Sequence, residues 1–207
     1  QYLPKESQIL LQSGQATVTP EGIVKELLEN ALDAGSSNVE LNIINGGLTN
    51  KGSISIKDNG SGISKNDIKL VASRHCTSKI SDFSDLSTLE CYGFRGEALN
   101  SIVSIAETFC ISTRCKNEDI GRNYEFDKSG IIKKEGLLAM PIGTIISFTN
   151  IFHNMPVRRQ QYLKKLTSIN RKIKLLIASY SLLYPEIRVQ LKITPSKHID
   201  DYFTKPS

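Results

Sequence analysis

Glu26, Asn30 and Asp33 recur at i, i+4 and i+7 within the run VKELLENALDAG, residues 24–35. On an α-helix that spacing puts all three in one polar stripe. The stripe carries a carboxylate and a carboxamide one turn apart, with a second carboxylate behind them. That set suits a hard metal ion and an activated water, because the amide is a neutral oxygen ligand and the glutamate accepts a proton. The plainer alternative is a solvated helix face with acidic residues. Leu27, Leu28, Ala31 and Leu32 fall largely off the stripe and are candidates for burial, and Gly35 stands where a left-handed cap would end the helix.

Four further stretches carry residue types with chemical use. In Asp58-x-Gly60-x-Gly62 two glycines let the backbone turn tightly and approach a flat ligand, while the Asp can accept from an exocyclic amine such as that of adenine. A hairpin turn uses the same residues. Thr77, Ser78 and Lys79 group two hydroxyls and an ammonium, suited to a phosphate or to an ordinary polar loop. The run Gly93-Phe94-Arg95-Gly96-Glu97-Ala98-Leu99 feeds an apolar helical pattern (Ile102, Val103, Ala106). A glycine turn at a helix N-terminus aims backbone N–H groups at one point, as a phosphate cradle does; the Walker pattern G-x-x-x-x-G-K-[ST] is absent. Thr144 follows Gly143 at a strand start, where it either bonds a base or is a routine β-branched strand residue.

These groups need elements to hold them. Pro20 and Glu21 suit the start of the first helix. Residues 39–43 and 53–57 alternate as half-buried strands and are expected to pair antiparallel, the second running into Asp58. Ser64 to Ser73 reads as a helix with Ser64 as N-cap. Residues 109–113, 122–126, 131–132 and 143–148 read as strands, with a turn at 127–130, and residues 187–193 as a last strand. Between them, Arg158, Arg159, Lys164, Lys165, Arg171, Lys172 and Lys174 lie in a stretch without an acid, while Leu163, Leu166, Ile169, Ile173 and Ile177 keep helical spacing. That is an amphipathic basic helix or two, either a solvated charged face or a contact for the backbone of DNA.

The totals are those of a soluble globular chain: 207 residues, 39% hydrophobic, 23% charged, net charge +5. No apolar run is long enough to span a bilayer, and no signal peptide or membrane partner is expected. Cys76, Cys91, Cys110 and Cys115 lack C-x-x-C spacing, so free thiols in a reducing compartment are expected rather than zinc. Residues 1–194 are expected to form one domain, with 195–207 a linker or the start of a following one.

Taken together, VKELLENALDAG, DNGSGI, TSKI, YGFRGEAL and MPVRR resemble the signatures of the MutL family of DNA mismatch repair proteins, within the GHKL ATPases. The Ser13-Gly14-Gln15 and Cys91-Tyr92 contexts look more like the eukaryotic postmeiotic-segregation (PMS) branch. The chain departs from the family at residues 16–21, which lack its usual R-P lead. The resemblance implies a two-layer α/β sandwich, the Bergerat fold, with a mixed sheet covered by helices on one face. It implies Glu26 as general base, Asn30 as ligand of Mg²⁺, Asp58 on the adenine amine, and Gly62 and Thr144 shaping that pocket. Thr77 and Lys79 would lie near the ATP, and Gly93 to Leu99 would form a lid over its phosphates. It further implies slow ATP hydrolysis serving as a switch, a MutL-type partner subunit in a heterodimer, contact with double-stranded DNA and a MutS-type mismatch recognition protein, and a nuclear location. In that family a lysine of the next domain reaches the γ-phosphate, so turnover by this chain alone is expected to be weak. The competing expectation is a DNA-binding or assembly module with a vestigial nucleotide pocket.

Overall fold

The structure is a computed structural model that describes residues 18–71, 98–194 and 200–203. Helix α1 spans Pro20–Asp33. Thr19 caps it, its Oγ1 accepting from the Gly22 N–H at 3.1 Å, and Pro20 occupies the first turn, where no N–H is needed. Within the segment that departs from the family's usual lead, residues 19–21 are therefore an ordinary capped helix start. Gly35 has φ +69°, the left-handed value expected after the last turn.

Strands β1 (Asn38–Ile44) and β2 (Ser53–Asp58) pair antiparallel, as the alternation predicts. A short helix α2 (Ile68–Val71) follows. Ser64 does cap this turn, accepting from the Asp67 N–H at 3.2 Å, but regular helix begins only at Ile68, after a turn. Helix α3 (Ala98–Ile105) leads into β3 (Thr108–Arg114), β4 (Gly121–Phe126), β5 (Ile132–Leu138) and β6 (Gly143–Thr149). The basic stretch forms two helices, α4 (Pro156–Lys164) and α5 (Leu166–Leu183), before β7 (Arg188–Thr194). Strand β8 (Asp200–Phe203) pairs antiparallel with β7, so the sheet continues into the stretch expected to be a linker or the start of a following domain.

The described strands form one sheet in the order β5-β4-β3-β6-β2-β1-β7-β8. The β1–β7 pair is parallel and the other pairs are antiparallel, which makes the sheet mixed. Register explains the layering. Leu191, Leu41, Ile56, Ile146, Ile111 and Tyr124 stand in one row across six strands, and Ile193, Ile43, Ile54, Phe148, Phe109 and Phe126 in another. All twelve are buried, under α1, α3 and α5. The alternate rows are polar, for example Lys192, Asn42, Ser55, Ser147, Cys110 and Glu125. Helices therefore cover one face, as the expected sandwich requires.

Candidate nucleotide site

A third row lies on the same inward face as the two apolar rows: Val189, Val39, Asp58, Thr144, Thr113, Arg122. Here the pattern breaks. Where the core would continue, Asp58, Thr144 and Thr113 bring a carboxylate and two hydroxyls to the inner surface of adjacent strands. Thr113 and Thr144 are buried. Thr113 Oγ1 accepts from the Ile63 N–H at 2.8 Å, donates to the Gly143 carbonyl at 3.1 Å, and lies 3.5 Å from Thr144 Oγ1. It thereby ties the Asp58–Gly62 loop to the Gly143-Thr144 strand start. Gly143 has φ +132°, and a side chain there would collide with the Asp58 carbonyl, so only glycine lets β6 approach β2 this closely.

Burial pushes the Asp58 carboxyl above its ordinary range, against the lowering pull of hydrogen bonds from the backbone N–H groups of Gly60 and Thr144. The Gly60 bond measures 2.8 Å. A partly desolvated carboxylate fixed by backbone donors keeps a free acceptor site at no cost in side-chain reorganisation.

The same loop is clamped to the end of α1. Ser61 N–H donates to the Ala34 carbonyl at 2.9 Å, and a Cβ on Gly60 would stand 2.7 Å from Ala34 Cβ and from its oxygen. Asn59 Oδ1 accepts from the Ser37 and Asn38 N–H groups at 2.9 and 2.8 Å, closing the junction between α1 and β1. Asn30 is one turn back from this clamp, since the Ala34 N–H bonds its carbonyl at 3.1 Å. The first and second motifs thus meet through backbone contacts. On α1, Glu26 is exposed while Asn30 and Asp33 are half-buried; Ile23, Val24, Leu27, Leu28 and Ala31 are buried and Leu32 is half-buried. The stripe is therefore the less buried side of α1, and Leu27 and Leu28 face the core, as the spacing predicts.

Thr77, Lys79, Gly93, Phe94, Arg95, Gly96 and Glu97 lie outside the described residues, as do Cys76 and Cys91. Ala98 opens α3, and Leu99 packs half-buried against the core. Cys110 and Cys115 are free thiols, both pushed up first by burial and then by nearby carboxylates, which makes them poor nucleophiles.

The basic residues separate into two groups. Arg158 turns inward: its Nη2 donates to the Val18 carbonyl at 2.9 Å and its guanidinium lies 4.8 Å from the Phe152 ring centre. Arg159 Nη1 donates to Asn150 Oδ1 at 3.2 Å, and Lys172 pairs with Glu21 at 2.8 Å. Lys164, Lys165 and Arg171 are exposed, and Lys174 is half-buried. Among the described residues no helix is long and apolar enough to cross a membrane.

Two residues that matter here escape sequence reasoning. Thr113 ends an ordinary alternating strand, and nothing local marks it; only register puts it beside Thr144. Glu29 looks like another surface acid on α1, yet it is buried, bonded to Lys25 and Tyr180. Its spacing gave no signal: three residues after Glu26 and four before Asp33, it borders the polar stripe.

A profile of histidine kinase-, DNA gyrase B-, and HSP90-like ATPases matches residues 18–152, and the chain belongs to that ATPase family. Within it, the similarity is to mismatch repair proteins. The chain is 39% identical to the DNA mismatch repair protein MutL of Aquifex aeolicus (strain VF5), over 91% of this chain and 43% of that protein. It is also 39% identical to PMS1 protein homolog 1 of Homo sapiens, over 90% of this chain and 20% of that one. The chain thus spans less than half the length of these relatives. Among solved structures, the Aquifex aeolicus MutL ATPase domain complexed with ADP aligns with a TM-score of 0.67 at 31% identity, over 91% of this chain and 64% of that one. The fold is that of MutL ATPase domains.

Proposed function

We propose that this chain is the ATP-binding and slowly hydrolysing domain of a MutL-type DNA mismatch repair protein, a nucleotide-dependent switch for dimerisation and for contact with DNA and partners. The observation that carries this reading is the polar row Asp58–Thr144–Thr113 on the inward face of the sheet, clamped to the helix that bears Glu26 and Asn30.

In this reading the Asp58 carboxylate accepts from the adenine amine, and Gly62 and Thr144 shape the base pocket with Thr113 holding them in place. Glu26 takes a proton from the water that attacks the γ-phosphorus; the bond from that phosphorus to its bridging oxygen breaks, leaving ADP and phosphate. The donor chemistry of α1 fits magnesium: Asn30 offers one neutral oxygen beside Glu26 and Asp33, and this ion takes few protein ligands when phosphates and water complete its shell. Magnesium bound there would neutralise charge on the phosphate oxygens. Thr77, Lys79 and Gly93 to Leu99 complete the proposed site as phosphate contacts and lid. The proposed partners are a second MutL-type subunit, a MutS-type protein, and double-stranded DNA met through its backbone. The proposed location is the nucleus, following the PMS-like contexts at residues 13–15 and 91–92.

Calorimetric titration with a non-hydrolysable ATP analogue, with and without Mg²⁺, tests the reading. Binding is expected, strengthened by Mg²⁺ and abolished by Asn30→Ala. Glu26→Ala is expected to bind as wild type does and to lose at least about 100-fold in turnover. No binding by the wild-type chain would favour a DNA-binding module with a vestigial pocket; normal turnover in the Glu26 variant would remove its assigned role.

A further inference from the structure

We propose that Tyr180 and Glu29 form a positioning pair that sets the rotation of α1 about its own axis, and so aims Glu26 and Asn30 at the phosphate end of the nucleotide. The inference rests on the ATPase reading above and adds a function for two residues which that reading does not use.

Glu29 is a carboxylate in the wrong place for a surface acid. Its side chain is 5% exposed, and Oε1 accepts from both the Tyr180 hydroxyl at 2.5 Å and the Lys25 ammonium at 2.6 Å. The two donors are unequal. Lys25 is half-exposed and sits on α1 itself, one turn back, so its bond says nothing about where the helix lies. Tyr180 is buried and belongs to α5, 151 residues away in the chain. It continues the stripe Ile169, Ile173, Ile177, all buried, by which α5 is seated on the core. The hydroxyl is therefore a donor fixed to the body of the protein.

Apolar burial alone holds α1 loosely in rotation. Ile23, Val24, Leu27, Leu28 and Ala31 give it a broad buried face, and hydrophobic contact has no direction. A hydrogen bond weakens steeply with angle. Glu29 is three residues after Glu26 and one before Asn30, so a bond that fixes its azimuth fixes theirs. At a side-chain tip about 6 Å from the axis, a rotation of about 10° moves an atom by about 1 Å. A displacement of that size at a reacting group can cost about 100-fold in rate. Isolating a carboxylate here is expensive compared with an apolar side chain of the same size. An apolar residue would hold the helix down by packing; it would add no directional bond at this azimuth.

The pair should therefore act on the phosphate end and leave the base end alone, because Asp58, Thr113 and Thr144 are placed by strand register. The full chain is assayed as wild type, Tyr180→Phe, Glu29→Gln, Glu29→Ala and Ile177→Val. ATP turnover, Mg²⁺-dependent affinity for a non-hydrolysable ATP analogue, adenosine affinity and thermal midpoint are read for each. In Tyr180→Phe the expected result is a kcat about 10-fold lower and a smaller gain in affinity from Mg²⁺, with adenosine affinity within about 2-fold of wild type. Glu29→Gln, which keeps an acceptor for the hydroxyl, should retain most of the turnover that Glu29→Ala loses. Ile177→Val, one turn before Tyr180 on the same stripe, should lower the thermal midpoint while leaving kcat and the Mg²⁺ response unchanged. A Tyr180→Phe chain that turns over and responds to Mg²⁺ as wild type does would overturn the inference alone. So would an Ile177→Val chain that loses the same kcat. A wild-type chain with neither turnover nor Mg²⁺-dependent binding would overturn the functional reading, and this inference with it.

Discussion

The two ends of the proposed nucleotide site are held by different means. At the base end, Asp58, Thr113 and Thr144 belong to three adjacent strands, and their spacing is the spacing of a hydrogen-bonded sheet. At the phosphate end, Glu26 and Asn30 hang from a single helix whose own placement is set by a loop clamp at Ala34 and a buried tyrosine bond at Glu29. The first arrangement is stiff and already partly desolvated. In the proposed reading, recognition of the base then rests on sheet register, while Glu26 and Asn30 depend on contacts that fix one helix.

The sharpest break in this comparison should come from Asp58→Asn, which keeps the shape of the base end and removes its charge. Affinity for adenine nucleotides should fall by about 100-fold or more, since a pocket built to pair with a substrate N–H is left mismatched. Stability should move the other way. The folded carboxyl holds its proton to higher pH than the unfolded chain's ordinary value of 3.8. Its contribution is full below that value and is lost as pH rises through the raised folded one. At neutral pH the ionised group therefore destabilises the fold, and the Asn variant should melt higher at pH 7 with the gap closing toward pH 4. Scanning calorimetry across that range checks it; an Asn variant that melts lower at pH 7 would contradict the burial argument.

Next in size is Gly60→Ala, which attacks the joint between the two ends. The new Cβ would stand 2.7 Å from backbone at Ala34, so the loop or the helix end must give way. Denaturant unfolding should show a loss of about 1–3 kcal/mol. Adenosine and Mg²⁺–nucleotide affinity should both weaken. Loss of only one would mean that the ends are not joined at this point.

The smallest effects should lie on the basic helices. Replacing Lys164, Lys165 and Arg171 together with Ala should leave nucleotide binding unchanged and flatten the salt dependence of DNA binding, measured by anisotropy between about 50 and 200 mM salt. Lys172→Ala, an exposed partner of Glu21, should leave the thermal midpoint unmoved within error. Arg158→Ala should behave differently from all of these and lower the midpoint, because its guanidinium bonds the Val18 carbonyl just ahead of α1.

Much of this was legible before any coordinates. The stripe and buried leucines of α1, the alternation of β1, β2 and β7, the left-handed Gly35 and the sharp loop after Asp58 all follow from rules that act within a few residues. Helix and strand periods come from backbone geometry, and turn residues are chosen by local φ. The motif order then identified the family. What local rules cannot supply is partnership across distance. Glu29 and Lys25 look alike as charged residues on α1, yet one is buried and the other is half-exposed. Arg158 and Arg159 read as part of a basic surface and prove to be bonded inward, to groups at residues 18 and 150.

The set of elements, the faces they bury and the chemical groups at their ends could be read from the residues alone, because each of these is decided by neighbours in the chain. That Thr113 joins Asp58 and Thr144 in one row, and that Tyr180 reaches Glu29, came from the assembled fold. The reason is register: strands and helices far apart in sequence settle against one another by the packing of the whole sheet and core, and a side chain acquires its partner only when that assembly is complete.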